Sequence, residues 1–189
     1  MGYDIYGFGS QSRIRSVCDR FAEAGFLVIL PDFFRGQQWS KQRMEAEGRP
    51  GLVKWVKQFK WRRSGGEEDD GGARADGGGL EGDFRAAVAY LRANLPAGAK
   101  VGCAGFCWGA WIAVRGSIIG TLSAAYSAHP SVHVENQHGG SDVALASQVK
   151  CPQLFHTAGS DNANLKTGGE FIAQLAKLPF GAAVRPPVA

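Results

Sequence analysis

The stretch KVGCAGFCWGAWIAVRGSII, Lys100 to Ile119, decides how this chain is read. Lys100 to Gly105 has the character of a short sheet strand, and Trp108 to Ile119 is apolar almost all round, as a buried helix is. Between them stands Gly105-Phe106-Cys107-Trp108-Gly109, a G-x-C-x-G elbow in the strand-turn-helix context that the motif requires. The flanking residues must be small for strand and helix to approach closely. Cys107 is then pushed above the carboxyl edge of the sheet, at the start of a helix. Unpaired N–H groups and the helix dipole there favour a thiolate. The N–H of Trp108 can point at an oxyanion developing on an attacked carbonyl. Most free cysteines are merely small buried hydrophobes. The elbow context singles out Cys107, whereas Cys103, inside the strand, and Cys18, on a helix stripe, are read as structural.

Strands and helices alternate outward from this point. Residues 10–24 form an amphipathic helix with Ser10 as a candidate cap, Ile14, Val17, Cys18 and Phe21 on one face, and Gly25 as the stop. Phe26 to Leu30 reads as a strand buried on both faces. Phe84, Val88, Leu91 and Leu95 stripe another helix. Leu122 to Ser127 and Gln153 to Thr157 read as strands, and Phe171 to Leu178 as a last helix. The fold class is therefore α/β, an open and mostly parallel sheet with helices on both faces, in a single domain over 1–189. Ser64 to Gly82 is rich in Gly, Asp and Glu and is expected to be a flexible surface loop. Before it, Leu52, Trp55, Val56 and Phe59 share a helical face among basic residues. A membrane-surface or partner-binding helix would look like this, but a peripheral helix packing on the domain is the reading adopted.

The bulk numbers set limits. A chain of 189 residues suits one domain with a real core. A net charge of +4 is too mild to indicate nucleic-acid binding. No apolar run spans a bilayer, and Met1 to Asp4 does not begin a signal peptide. The four cysteines (Cys18, Cys103, Cys107 and Cys151) form no C-x-x-C pairs, which suits reduced thiols and a cytoplasmic location better than disulfides or zinc. Gly7-Phe8-Gly9 is a lone G-x-G and does not make a nucleotide site. No cofactor and no metal are expected.

The elbow GFCWGA resembles that of the dienelactone hydrolases, carboxymethylenebutenolidase-like proteins of the α/β-hydrolase superfamily. Four more segments resemble that family in order and spacing. They are Asp4-Ile5-Tyr6-Gly7, Val28 to Gly36 (VILPDFFRG), Ala128-His129-Pro130-Ser131, and Pro152 to Asp161 (PQLFHTAGSD). The resemblance implies a Cys-His-Asp triad with Cys107 as nucleophile and Asp161 as the acid. It implies oxyanion donors in the backbone N–H groups of Trp108 and Ile5, and places Asp4 where many members have a glutamate bonded to the resting thiol. It further implies hydrolysis of a small-molecule lactone or carboxylic ester through an acyl-enzyme.

The triad histidine is the missing part. In this fold it follows the acid in the chain, yet the four histidines are His129, His133, His138 and His156. Pro179 to Ala189 shows no strand pattern and no His-Gly-Phe-like segment, and the strand leading into Asp4 is reduced to Met1 to Tyr3. The chain is therefore expected to be truncated at both ends, with the sheet incomplete at its carboxyl-terminal edge. His156 is expected to point into or across the sheet, and His133 and His138 to lie in a polar loop. His129 is expected to line the site; substitution for the missing base is not expected of any of the four, and His129 ranks first among them. Arg35 and Arg85 could meet an anionic carboxylate, although solvation is the commoner fate of surface arginines. A non-catalytic binding or interaction protein on the same scaffold is the alternative. Oligomeric state and substrate identity are not legible.

Overall fold

A computed structural model describes residues 1–9, 12–61, 79–180 and 182–185. In chain order the helices and strands are α1 (Ile14–Glu23), α2 (Lys41–Val56), α3 (Gly79–Asn94), β1 (Gly102–Phe106), α4 (Trp108–Ile119), β2 (Ala124–Ala128), α5 (Val134–Gln137), α6 (Asp142–Ala146), β3 (Gln153–His156), α7 (Glu170–Leu175) and β4 (Ala182–Arg185). They fall into two compact units, Met1–Ile5 with Gly98–Ala189, and Tyr6–Ala97.

The first unit holds the sheet. Its four strands lie in the order β1-β2-β3-β4, all parallel, with Phe106 opposite Ala128, Ala128 opposite His156, and His156 opposite Arg185. This is the open α/β sheet expected. Small residues (GCAGF in β1, AAYSA in β2) let the layers approach closely. Helix α4 covers the predicted residues, and Trp108 to Val114 are all buried in it. Trp108, Trp111, Tyr3, Phe155, Phe171 and Leu165 make the core, each contributing about 1.5–3 kcal/mol through removal from water. The buried Glu135 on α5 accepts hydrogen bonds from Nε and Nη2 of Arg115 and from Nε1 of Trp111, clamping α5 to α4. A paired and hydrogen-bonded charge is the tolerable form of a buried one.

Two expectations are corrected. Phe26 to Leu30 is no strand: the segment joins no ladder, and Phe26 is 62% and Leu27 44% exposed. Apolar composition alone does not separate a paired strand from an extended connection. Conversely, Ala182–Arg185 was expected to have no strand character and pairs along β3. A parallel ladder is made by backbone groups, so Ala-Ala-Val-Arg suffices without a strong side-chain pattern.

The second unit carries α1 to α3. Of the stripe expected on α1 only Ile14 is buried, and Phe21 is exposed. Trp55, Val56 and Phe59 are buried, with Trp55 and Phe59 packed on Phe34 and the Trp55 indole donating to the Gln37 carbonyl. This face is covered by its own unit, as the peripheral-helix reading requires. The Gly-rich loop lies mostly outside the described residues, and Gly79 to Gly82, assigned to it, open α3 instead. Ser10 is likewise outside the described residues. Arg35 pairs with Asp83 at 2.9 Å, and Arg85 with Glu81 at 2.7 Å.

Gly2, Gly105 and Gly109 bring three backbones together in the first unit. A Cβ on Gly109 would overlap the backbone of Gly2 and Tyr3, and one on Gly105 would overlap the carbonyl of Gly109. Gly109→Ala should therefore lose about 1–3 kcal/mol or more in denaturant unfolding. A variant as stable as the wild type would show that the approach has slack.

Candidate active site

The site is assembled where the strands end. Gly2 N–H donates to the Ala104 carbonyl at 2.8 Å, and Phe106 N–H to the Gly2 carbonyl at 3.2 Å. This single bridge lays Met1 to Tyr3 along β1 and brings Asp4 and Ile5 to its carboxyl end. Cys107 is the first residue beyond β1. Its backbone is held at φ 53°, ψ −116°, a left-handed conformation that a non-glycine residue adopts under strain. Three hydrogen bonds keep it there. Its N–H donates to Ala128 O at 3.0 Å, and its carbonyl accepts from Ala110 N at 3.0 Å and Ser131 N at 3.1 Å.

The sulfur sits 3.5 Å from the Ser131 hydroxyl and also accepts from the backbone N–H of Trp108. Burial nevertheless pushes the Cys107 thiol up from the ordinary thiol range. The Ser131 and Trp108 hydrogen bonds oppose that rise, and the charges of Asp4 and Asp161 add to it. The pull of the helix start toward a thiolate, read from the elbow, is thus outweighed. Desolvation of the charged form outweighs the helix N-terminus, and the resting group is a neutral thiol. Cys103 and Cys151 are also pushed up, chiefly by burial, as befits cysteines in a structural role.

The acid lies beyond β3. Asp161 is buried, its Oδ2 accepts from Ala158 N at 2.7 Å, and its own N–H donates back to Ala158 O at 3.1 Å. Its other oxygen, Oδ1, stands 2.5 Å from Nδ1 of His129. His129 is the first residue beyond β2, again with a left-handed φ of 47°, and its N–H donates to His156 O at 2.9 Å. The structure therefore brings Cys107 and Trp108 together at the elbow, with Asp4 and Asp161 acting on the same sulfur. It sets His129 directly on the acid. The other histidines go elsewhere. His156 is exposed and reaches across to the neighbouring strand β2, pairing through Nδ1 with the Tyr126 hydroxyl at 2.8 Å, while His138 stacks on Trp111. Ser131 was not singled out as a site residue. Its place two residues after His129, in a turn tied to the elbow carbonyl, was the signal available.

No group of three or more His, Cys, Asp or Glu among the described residues is arranged to hold a metal ion. No helix among them is long and apolar enough to cross a membrane.

A strained cysteine elbow at the carboxyl end of an open parallel sheet defines an α/β-hydrolase. The sequence model of the dienelactone hydrolase family matches residues 2–175, and the chain belongs to that family. It is also similar to the protein named Hydrolase tropI of Talaromyces stipitatus, at 26% identity over 151 residues, 80% of this chain. The match takes in 52% of that protein, so the chain spans about half the length of the curated relative it matches.

The electrostatics give a measurable outcome. Alkylation of Cys107 by iodoacetamide, followed by peptide mass spectrometry, should stay slow at neutral pH and rise only above the ordinary thiol range. Ser131→Ala removes an interaction favouring the thiolate, so the profile should move further up and the rate at fixed pH fall by up to about tenfold. A rate already at its plateau by neutral pH would show that the thiolate is the resting form.

Proposed function

We propose that this chain carries the nucleophilic centre of a hydrolase that opens lactones or cleaves carboxylic esters through Cys107. The observation that carries the reading is the conformation of Cys107, strained at φ 53° with its sulfur between the Trp108 N–H and the Ser131 hydroxyl. Strain of about 1–3 kcal/mol at a non-glycine residue persists only where the surroundings enforce it, and such positions cluster at active sites. Family membership supports the same chemistry.

The sulfur attacks the carbonyl carbon and forms a thioester, which water then hydrolyses. As the tetrahedral intermediate forms, the Trp108 N–H turns from sulfur to the developing oxyanion, with the Ile5 N–H as second donor. Burial, with a smaller contribution from the charge of Asp4, disfavours the thiolate in the resting site. Asp161 is the acid that fixes the imidazole. The substrate is a small molecule, no metal or cofactor enters, and four free thiols suit a reducing compartment such as the cytoplasm.

The test is direct. Incubated with p-nitrophenyl acetate, the protein should gain one acetyl group on Cys107 in intact mass spectrometry and release nitrophenol. Cys107→Ala should do neither, with loss of essentially all turnover above the buffer rate. A wild-type protein that binds esters without acetylation would instead be a binding scaffold, and unchanged turnover in Cys107→Ala would sink the nucleophile assignment.

A further inference from the structure

Glu135 is buried, and it lies four residues beyond Ser131, whose hydroxyl meets the Cys107 sulfur. Its carboxylate is held by helix α4. Oε2 accepts from Trp111 Nε1 and from Arg115 Nε, both at 2.9 Å, and Oε1 accepts from Arg115 Nη2. On another side the chain turns at Gly139 and Gly140, so closely that a Cβ on Gly140 would overlap Oε1. Arg115 faces the charge of Glu135 directly, and His138 stacks on the same indole, with ring centroids 5.1 Å apart. A buried ion pair often adds little net stability over apolar side chains of similar volume. What a guanidinium forked on a carboxylate does supply is a fixed distance and angle.

That geometry closes a circuit of contacts through the elbow. Helix α4 begins directly after Cys107, and Trp111 and Arg115 stand about one and two turns along it. Through Glu135 they hold the single-turn helix α5, whose first N–H, that of Val134, donates to the Ser131 carbonyl at 3.0 Å. The N–H of Ser131 donates to the Cys107 carbonyl at 3.1 Å, and the Ser131 hydroxyl stands 3.5 Å from Sγ. Ser131 is therefore fixed from both ends, by the elbow on one side and by α5 on the other. Hydrogen bonds weaken steeply as distance and angle depart from the optimum, so a turn free to shift would lose its contact with sulfur.

We infer that Glu135, forked to Arg115 and bonded to Trp111, is the positioning residue that holds the Ser131 hydroxyl against the Cys107 sulfur. The inference rests on the reading of Cys107 as nucleophile. The groups that act on the sulfur are the Ser131 hydroxyl, the Trp108 N–H and the charges of Asp4 and Asp161, so Glu135 works through Ser131 rather than on the thiol. Position and charge act with opposite sign here, which separates them. Removing the negative charge of Glu135, and leaving Arg115 unpaired, would favour the thiolate through space. Losing the Ser131 hydrogen bond instead disfavours the thiolate, because that bond opposes the rise caused by burial.

The test follows iodoacetamide alkylation of Cys107 against pH in the full chain, with folding checked by circular dichroism. Glu135→Gln should move the profile upward and slow alkylation at fixed pH by about threefold or more, up to the effect of Ser131→Ala. In a Ser131→Ala background the same change should alter the rate by less than about twofold, because the hydroxyl it positions is gone. An unchanged or downward profile in Glu135→Gln, or a full further fall in the Ser131→Ala background, would overturn the inference. Arg115→Lys keeps the charge and loses the fork, so it should shift the profile upward by a smaller amount. Should Glu135→Gln fail to fold, Arg115→Lys decides: an upward profile supports the inference and a wild-type profile overturns it. Alkylation reads the thiol without turnover, so failure there removes Glu135 alone. Turnover of p-nitrophenyl acetate that survives in Cys107→Ala would instead remove the nucleophile, and any bearing of Glu135 on the reaction with it.

Discussion

Three glycines without side chains set the distance on which the site depends. At Gly2, Gly105 and Gly109 the amino-terminal segment, strand β1 and helix α4 come so close that any Cβ would meet backbone rather than a movable side chain. That approach permits the bridge from Gly2 to β1, and the bridge carries Asp4 and Ile5 to the mouth of the elbow. It also forces the turn at Cys107 to be sharp, because strand and helix must leave it almost in contact. Packing follows the same geometry. Tyr3 and Trp108, flanking the contact, are both buried, with ring centroids 6.5 Å apart. Position of the nucleophile and cohesion of the core are therefore one constraint seen from two sides.

Electrostatics then divide the labour. The sulfur is kept neutral by burial and by the nearby charges of Asp4 and Asp161, against the pull of Ser131 and the Trp108 N–H. A neutral thiol is a poor nucleophile but also a poor target for oxidants and stray electrophiles. Asp161 acts on the sulfur while holding His129. Any step that places positive charge on that imidazole would offset the carboxylate and ease ionisation of the thiol. One buried acid thus acts on both the imidazole and the sulfur.

How much of this could be read from residues alone depended on whether the signal was local. The elbow is a contiguous pattern whose neighbours must be small, so strand, turn and helix were all legible, and α4 was found to the residue. Strand β1 runs slightly later than Lys100 to Gly105, since ladder ends depend on the partner strand. The Phe26 to Leu30 segment failed for the same reason, and β4 was missed because Ala-Ala-Val-Arg carries its information in the backbone. At the site, Cys107 and Trp108 were singled out from the elbow motif, and Asp161 only through the family resemblance of Pro152 to Asp161. The meeting of His129 with Asp161 was not, because 32 positions separate them and only the parallel register of β2 and β3 brings their strand ends together. That burial outweighs the helix start at Cys107 was not legible, because burial is a property of the folded neighbourhood.

The conformations at Cys107 and His129 have an evolutionary side. Among the described residues only Arg35, Cys107 and His129 are non-glycine residues at positive φ, so two of the three such positions belong to the candidate site. Glycine would relieve the backbone at either one. Selection for stability alone would therefore push these two codons toward glycine and erase the chemistry while improving the fold. A thiol and an imidazole in such conformations set reactive side chains where the backbone alone would favour glycine.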